Sequence, residues 1–474
     1  MVVLNDRVLV QFLQKHLKTF SFLDDAAKTN LESLLFDKLA NWPKPPLKKF
    51  YRSSTRSLHV NENNFRLDTM SLYGFSIKNA LEPEDFIELW RSLLSSALMS
   101  LKAKDKEDIG DLEKVRNETY GTQDYGLDKL VGYFRAFSKF ERLLYGSNKY
   151  YRDHFYHLFN VWLLGSYFLK SYFKKGGSYN LYLDCNDTSS KKIKLSEIEI
   201  DSMWCLIALT HDLGYTLEKF SNINKLVKDI MPSFGNITFQ ELQYSLPLQN
   251  QYSYDYLLKF LSSRLTLLGR NKRYSTHLQS KYYIKFLNSF ENLDHGIMSC
   301  VLLMRHLVFF LESDFAYSNP SGPHFKLRDA KQFQIRREIL RAIAAHTCEN
   351  VYHLRLNTLP FLLIACDEMQ DWGRPRLDDI ITTQSNSYTQ IKYDCFSADN
   401  ISYTISLWSD AKQKDIETEW KHRIDRYKKL FRTALEWKKR KFTFSIKLKF
   451  HQKFTNKTTL QKQFTFSQNE FSES

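Results

Sequence analysis

The chain has 474 residues, 43% of them hydrophobic, and carries a formal net charge of +15. That length accommodates two or three domains around a substantial core. With only 15 Gly and 10 Pro, the composition argues for long helices and against a many-turned β sandwich.

Six cysteines (Cys185, Cys205, Cys300, Cys348, Cys366, Cys395) are scattered with no CxxC pair, which argues against a zinc ribbon or a disulfide framework and points to a reducing cytoplasm. The opening MVVLNDRVLVQFLQKHLK carries charges too early and too often for a signal peptide. No stretch approaches the roughly 18 apolar residues of a membrane span. The best, Val301 to Leu311, is broken by Arg305 and His306. The expectation is a soluble cytoplasmic protein.

In chain order, the first 50 residues have the spacing of an amphipathic helix that ends near the Pro43–Pro46 cluster. A mixed polar stretch over 60–115 contains one clear helix start, EPEDFIELWRSLLSSALMSLK, with acids in its first turn. A Gly- and Asp-containing passage at 108–128 reads as a linker or surface loop, so 1–150 forms an N-terminal helical region.

Apolar helical segments then follow one another at 151–173, 198–220, 252–268, 281–291, 294–312, 329–348 and 357–372. Polar loops such as KKGGSYNLYLDCNDTSSKK and YSNPSGPHF separate them, which predicts a helical bundle over 151–375. Beyond Pro375 the period becomes two. QIKYDCF and ISYTISLW read as a hairpin joined through SADN, followed by a charged helix over 412–439, the strand FTFSIKLKF, and a strand remnant with a loose tail in FTFSQNEFSES. The fold class is mainly α, with a small α+β appendage over 376–474.

Charge is concentrated in that appendage. Lys421 to Lys462 holds fifteen Lys or Arg against Asp425 and Glu436. Such a stripe can bind a polyanion, including nucleic acid, by counterion release, and it can equally be a solvated helix face.

The residues that carry chemistry lie in the bundle. RDHFYHLFNVWLLG supplies Arg152, His154 and His157; MWCLIALTHDLGY ends an apolar run with His211-Asp212; DHGIMSCVLL opens one with His295; EILRAIAAHT closes one with His346; and PFLLIACDEMQDWGRP buries the approach to Asp367. Imidazole and carboxylate suit borderline divalent metals such as Mn, Fe, Co or Zn, with Mg also admitted. A carboxylate such as Asp212 can bridge two ions, and two ions sharing a water lower its pKa and neutralise phosphoryl charge. Each residue also has a plainer reading: Asp367 as a helix-end acid paired to Arg374, and Asp294-His295 as a helix cap.

The order of these residues resembles the HD superfamily of metal-dependent phosphohydrolases, whose signature is H…HD…D with two further histidines in binuclear members. The resemblance covers 150–375. It implies His157, His211, Asp212 and Asp367 as ligands of one ion, and His295 and His346, with bridging Asp212, as ligands of a second. Val161, four residues after His157, selects His157 over His154 as the first ligand, which leaves His154 beside the substrate. Arg152, Lys219 and Arg374 are candidates to hold phosphate, with His154, Lys219, Arg152 and Asp212 as catalytic groups and Tyr215 or Trp372 as stacking platforms. The expected substrate is a phosphate-containing small molecule, a nucleotide or a nucleic acid. No GYP motif follows the pocket, so a cyclic-di-GMP phosphodiesterase is not indicated. The competing expectation is a non-catalytic nucleotide- or RNA-binding module that signals through the basic C-terminal segment.

Overall fold

The computed structural model describes residues 2–42, 76–107, 126–147, 152–175, 178–181, 193–234, 248–268, 273–312, 326–348, 351, 357–370, 372, 388–396, 400–409, parts of 417–428, 443–452, 458–467 and 470–473. Within them the protein is mainly helical, with one six-stranded sheet. No described helix is long and apolar enough to cross a membrane.

The chain opens with strand β1 (Val2–Leu4) and helix α1 (Asp6–His16), whose start is capped by the Asn5 side chain accepting from the Val8 amide at 3.0 Å. Two long helices follow, α2 (Pro83–Glu107) and α3 (Leu127–Ser147). Next come α4 (His157–Phe168), α5 (Glu197–Thr210) and α6 (Tyr215–Ile230). The 198–220 segment is therefore two helices, because the backbone turns at His211–Gly214. Helix α5 starts from a reciprocal capping box between Ser196 and Glu199 and is buried on almost every side. It packs against α2 and α4 and is the hub of the bundle.

Helix α7 (Leu248–Ser262) ends earlier than its apolar pattern predicts. Residues Ser263–Leu268 form β2, paired antiparallel with β3 (Arg273–Leu278). The alternation in SRLTLL belongs to this hairpin, and the apolar run before it hid the change of period. Helices α8 (Ser280–Glu291), α9 (His295–His306), α10 (Leu327–Ala345) and α11 (Leu359–Met369) complete the bundle. Thr358 caps α11 by accepting from the Phe361 amide, and Pro360 occupies its first turn.

The C-terminal strands are β4 (Tyr388–Phe396), β5 (Asn400–Ser409), β6 (Thr443–Gln452), β7 (Thr458–Ser467) and β8 (Glu470–Glu473). The sheet order is β1-β4-β5-β6-β7-β8, antiparallel except for the parallel pair β5/β6. The β4/β5 hairpin lies where period two places it. Between β5 and β6, Trp420, Ile424 and Tyr427 are buried at helical spacing, while much of the expected 412–439 helix falls outside the described residues. FTFSQNEFSES is more ordered than a remnant and tail, since it contributes the end of β7 and all of β8. The largest departure is at the start of the chain: β1 adds to the edge of the C-terminal sheet beside β4, with Val3 opposite Lys392. Three residues are too short for period two to stand out beside an eleven-residue amphipathic helix.

Of the basic stripe, Lys421, Arg423, Lys428, Lys447, Lys449 and Lys462 lie among the described residues, and the rest lie outside them.

Candidate metal centre

The candidate ligands collect at helix ends. His157 is the first residue of α4 and His295 the first of α9; His211 follows the last residue of α5 and His346 the last of α10; Asp367 lies in the last turn of α11. Apolar helices thus carry polar groups at their tips, where side chains can leave the core without breaking the helical hydrogen bonds.

Two groups of ligand atoms result. His157, His211, Asp212 and Asp367 form one, and Asp212, His295 and His346 the other, with the atoms of each within 4.8 Å of one another. Asp212 divides its two oxygens between them. Oδ2 lies 3.4 Å from His211 Nε2 and 3.9 Å from His157 Nε2. Oδ1 lies 3.3 Å from His295 Nε2 and 3.5 Å from His346 Nε2. Asp367 Oδ1 closes the first group, 2.9 Å from His157 Nε2 and 4.0 Å from His211 Nε2.

All four imidazoles are held through Nδ1. His211 Nδ1 donates to the Ala208 carbonyl at 2.9 Å, and His346 Nδ1 donates to that of Ile343. His295 Nδ1 meets the Glu218 carboxylate, and His157 Nδ1 meets the Gln370 side-chain oxygen. Gln370 is oriented in turn, because its Nε2 donates to the Trp372 carbonyl at 2.6 Å. A proton on Nδ1 leaves Nε2 of a neutral imidazole as the atom that can bind an ion.

The turn between α5 and α6 is braced from three sides. Trp90 Nε1 on α2 donates to the Leu209 carbonyl at 2.8 Å. Tyr133 on α3 hydrogen-bonds Thr216 Oγ1 at 2.8 Å and the Leu213 carbonyl. Ser299 on α9 donates to the His211 carbonyl at 2.7 Å and accepts from the Gly214 amide at 2.8 Å. A Cβ at Gly214 would lie 2.2 Å from the His295 carbonyl, so only glycine lets the turn approach α9 this closely. Gly296 has the same role toward α10, where a Cβ would meet the Ile343 carbonyl at 2.5 Å.

Burial and the facing charges set the protonation of the cluster. Burial, partly opposed by Asp212, lowers the His211 pKa to about 4, so this imidazole is neutral. Its Nε2 is buried with no hydrogen-bond partner, a loss of about 1–3 kcal/mol unless something accepts the lone pair. Burial alone would also lower the His295 pKa, but hydrogen bonds to Asp212 and Glu218 carry it to about 9. Burial opposes ionisation of Asp212 and Asp367, yet the facing histidines hold both well below the usual carboxylate range. His295 Nε2 and His346 Nε2 lie 3.2 Å apart, and both also face Asp212 Oδ1. The orphaned His211 Nε2 and the His/Asp donor set fit divalent metal ions.

The remaining candidates form a partial rim. Tyr215 stacks its ring between His154, at 4.0 Å, and His295, at 4.4 Å, and Lys219 Nζ lies 4.8 Å over it. Lys219 is ion-paired with Glu218. His154 belongs to neither ligand group; its Nδ1 is 3.6 Å from Glu141. Arg152 is half-buried in the segment leading to α4, which begins at His157. Trp372 is buried with its indole N–H on Asp6 at 2.6 Å, which makes it a packing residue and not a stacking platform. Arg374 lies outside the described residues.

Sequence reasoning missed Glu218 and Gln370. Gln370 is three residues beyond Asp367, so helical spacing places it near that ligand. Glu218 had no such signal: it is one charge on an amphipathic helix, and its role depends on where α9 docks. No protein-family model, curated protein or solved structure matches this chain.

Proposed function

We propose that this protein is an HD-type, metal-dependent phosphohydrolase that cleaves a phosphomonoester or phosphodiester in a nucleotide or nucleic acid. The observation that carries this reading is Asp212, whose two oxygens face two separate ligand groups in the manner of a carboxylate bridging two ions. His157, His211, Asp212 and Asp367 would hold the first ion, and Asp212, His295 and His346 the second. When bound, paired divalent ions supply Lewis acidity toward phosphoryl oxygens and lower the pKa of a shared water.

The chain's own residues supply orientation and access. Side chains of His157, His211, His346 and Asp212 are at most 3% exposed, whereas Asp367 is 19% and His295 16% exposed. Substrate therefore approaches over Asp367 and His295, on the side where Tyr215 and Lys219 stand. Lys219 and Arg152 draw the anionic group inward, and Lys219 exchanges Glu218 for phosphate. Tyr215 fixes His154 and His295 relative to each other by packing between them. His154, beside Tyr215, would give a proton to the leaving group.

The test is metal analysis combined with phosphatase and phosphodiesterase assays on nucleotides, comparing wild type with Asp212→Ala. The expected result is about one to two equivalents of transition metal and Mn-dependent hydrolysis, both lost in the variant. Wild type that stays metal-free and inactive after reconstitution would replace this reading with a non-catalytic nucleotide- or RNA-binding module using the basic Lys421–Lys462 segment.

A further inference from the structure

We infer that Asp6, at the start of the chain, is a positioning residue for the metal ligand His157, acting through Trp372 and Gln370. The inference rests on reading the cluster as a metal centre and adds a residue far from it in sequence.

The four imidazoles differ in how they are oriented. His211 and His346 donate to carbonyls three residues back, Ala208 and Ile343, so their own helices fix the Nδ1 proton. His295 uses the Glu218 carboxylate, which can only accept. His157 instead depends on a side-chain amide. If the Gln370 amide turned over, its NH2 would face Nδ1, push the His157 proton onto Nε2 and remove the lone pair from the first ligand group.

What keeps Gln370 in its working orientation is the Trp372 carbonyl, which accepts from Gln370 Nε2 at 2.6 Å. The position of Trp372 depends on Asp6, whose Oδ1 accepts from the indole Nε1 at 2.6 Å. Asp6 Oδ2 is fixed separately by the Ile77 amide at 2.8 Å. Both residues are buried, Asp6 at 2% and Trp372 at 5% exposure. A buried carboxylate is costly, and packing alone would be better served by an apolar side chain. Each oxygen of Asp6 has a directed donor, and one donor leads in three hydrogen bonds to His157 Nδ1, the ring nitrogen opposite the one that faces the ligand group. The tie spans 366 positions of sequence, so no local signal announces it.

Cobalt(II) binding to the full chain tests this, followed by visible absorption and by competition with a chelator. A His346→Ala background isolates the first ligand group. Trp372→Phe keeps an aromatic ring but removes the N–H together with part of the indole, whereas Asp6→Asn is nearly isosteric and carries the test if Trp372→Phe fails to fold. Both are expected to weaken cobalt at the first group by about tenfold and to shift its absorption bands, with Gln370→Leu weakening it further. In the otherwise wild-type chain, the affinity of the second group stays unchanged. Unchanged cobalt affinity and spectrum in Asp6→Asn and Gln370→Leu, even with lowered thermal stability, would overturn the inference and leave the metal centre standing. Wild type that binds no cobalt would overturn both.

Discussion

Glu218 on α6 receives the Nδ1 proton of His295 on α9 and also accepts from the His295 backbone amide at 3.1 Å. One carboxylate therefore sets both the ring's rotation and its tautomer, and its charge raises the electron density at Nε2. Despite burial, the bonds from His295 and Lys219 hold Glu218 at a pKa of about 2, so it is ionised at neutral pH. Glu218→Ala is expected to weaken the second ion by about 10–100-fold and leave the first unaffected, as read by metal titration. Glu218→Gln keeps an acceptor and should fall between the two.

His346→Ala and Asp212→Ala separate one-ion from two-ion loss. His346 belongs only to the second group and Asp212 to both. Elemental analysis should find the His346 variant with half the wild-type metal and the Asp212 variant with none. Equal stoichiometry in the two variants would contradict a bridging role for Asp212.

Gly296→Ala tests the close approach of α9 to α10. The added methyl would sit 2.5 Å from the Ile343 carbonyl and 2.6 Å from Thr347 Oγ1, so the helices must separate. Overpacking of this kind costs about 1–3 kcal/mol, visible as a lower denaturation midpoint. Because His295 and His346 ride on those two helices, the second ion should be lost before the fold is.

The pH dependence of stability has an expected signature at Asp6. Burial raises its pKa from 3.8 to about 6, against hydrogen bonds from Ile77 and Trp372 that lower it. Between those values the folded state binds the proton and the unfolded chain does not, so this group's contribution is full below pH 3.8 and is lost as pH rises through 6. The shift corresponds to about 3 kcal/mol. Relative to wild type, Asp6→Asn should therefore gain stability between pH 4 and pH 7, as followed by chemical denaturation. A constant difference across that range would refute the assignment.

The buried His/Asp cluster was legible in the sequence as polar residues at the ends of helical segments. Runs such as MWCLIALT before His211 and FLLIAC before Asp367 announce both the helix and the anomaly at its tip. The paired halves of the site were harder to see, because Glu218 and Gln370 gain their roles only when α9 and α4 arrive. The HDLG turn breaks what periodicity alone runs together, since the apolar pattern continues into Leu213 while the backbone turns to reach α9. The basic stripe was plain in composition, but composition says nothing about the sheet that part of it forms. Most hidden of all was β1, where register depends on a partner at the other end of the chain.

That β1/β4 pairing has a consequence for biosynthesis. Val3 leaves the ribosome 389 residues before its partner Lys392. Until then β1 has no sheet edge to join, and closing so long a loop is among the slower steps available to the chain. Asp6 lies two residues beyond β1 and meets Trp372 only in the same late stage. The tie to His157 is thus completed only after Trp372 has emerged, which leaves the first ligand group without its full set of hydrogen bonds until then.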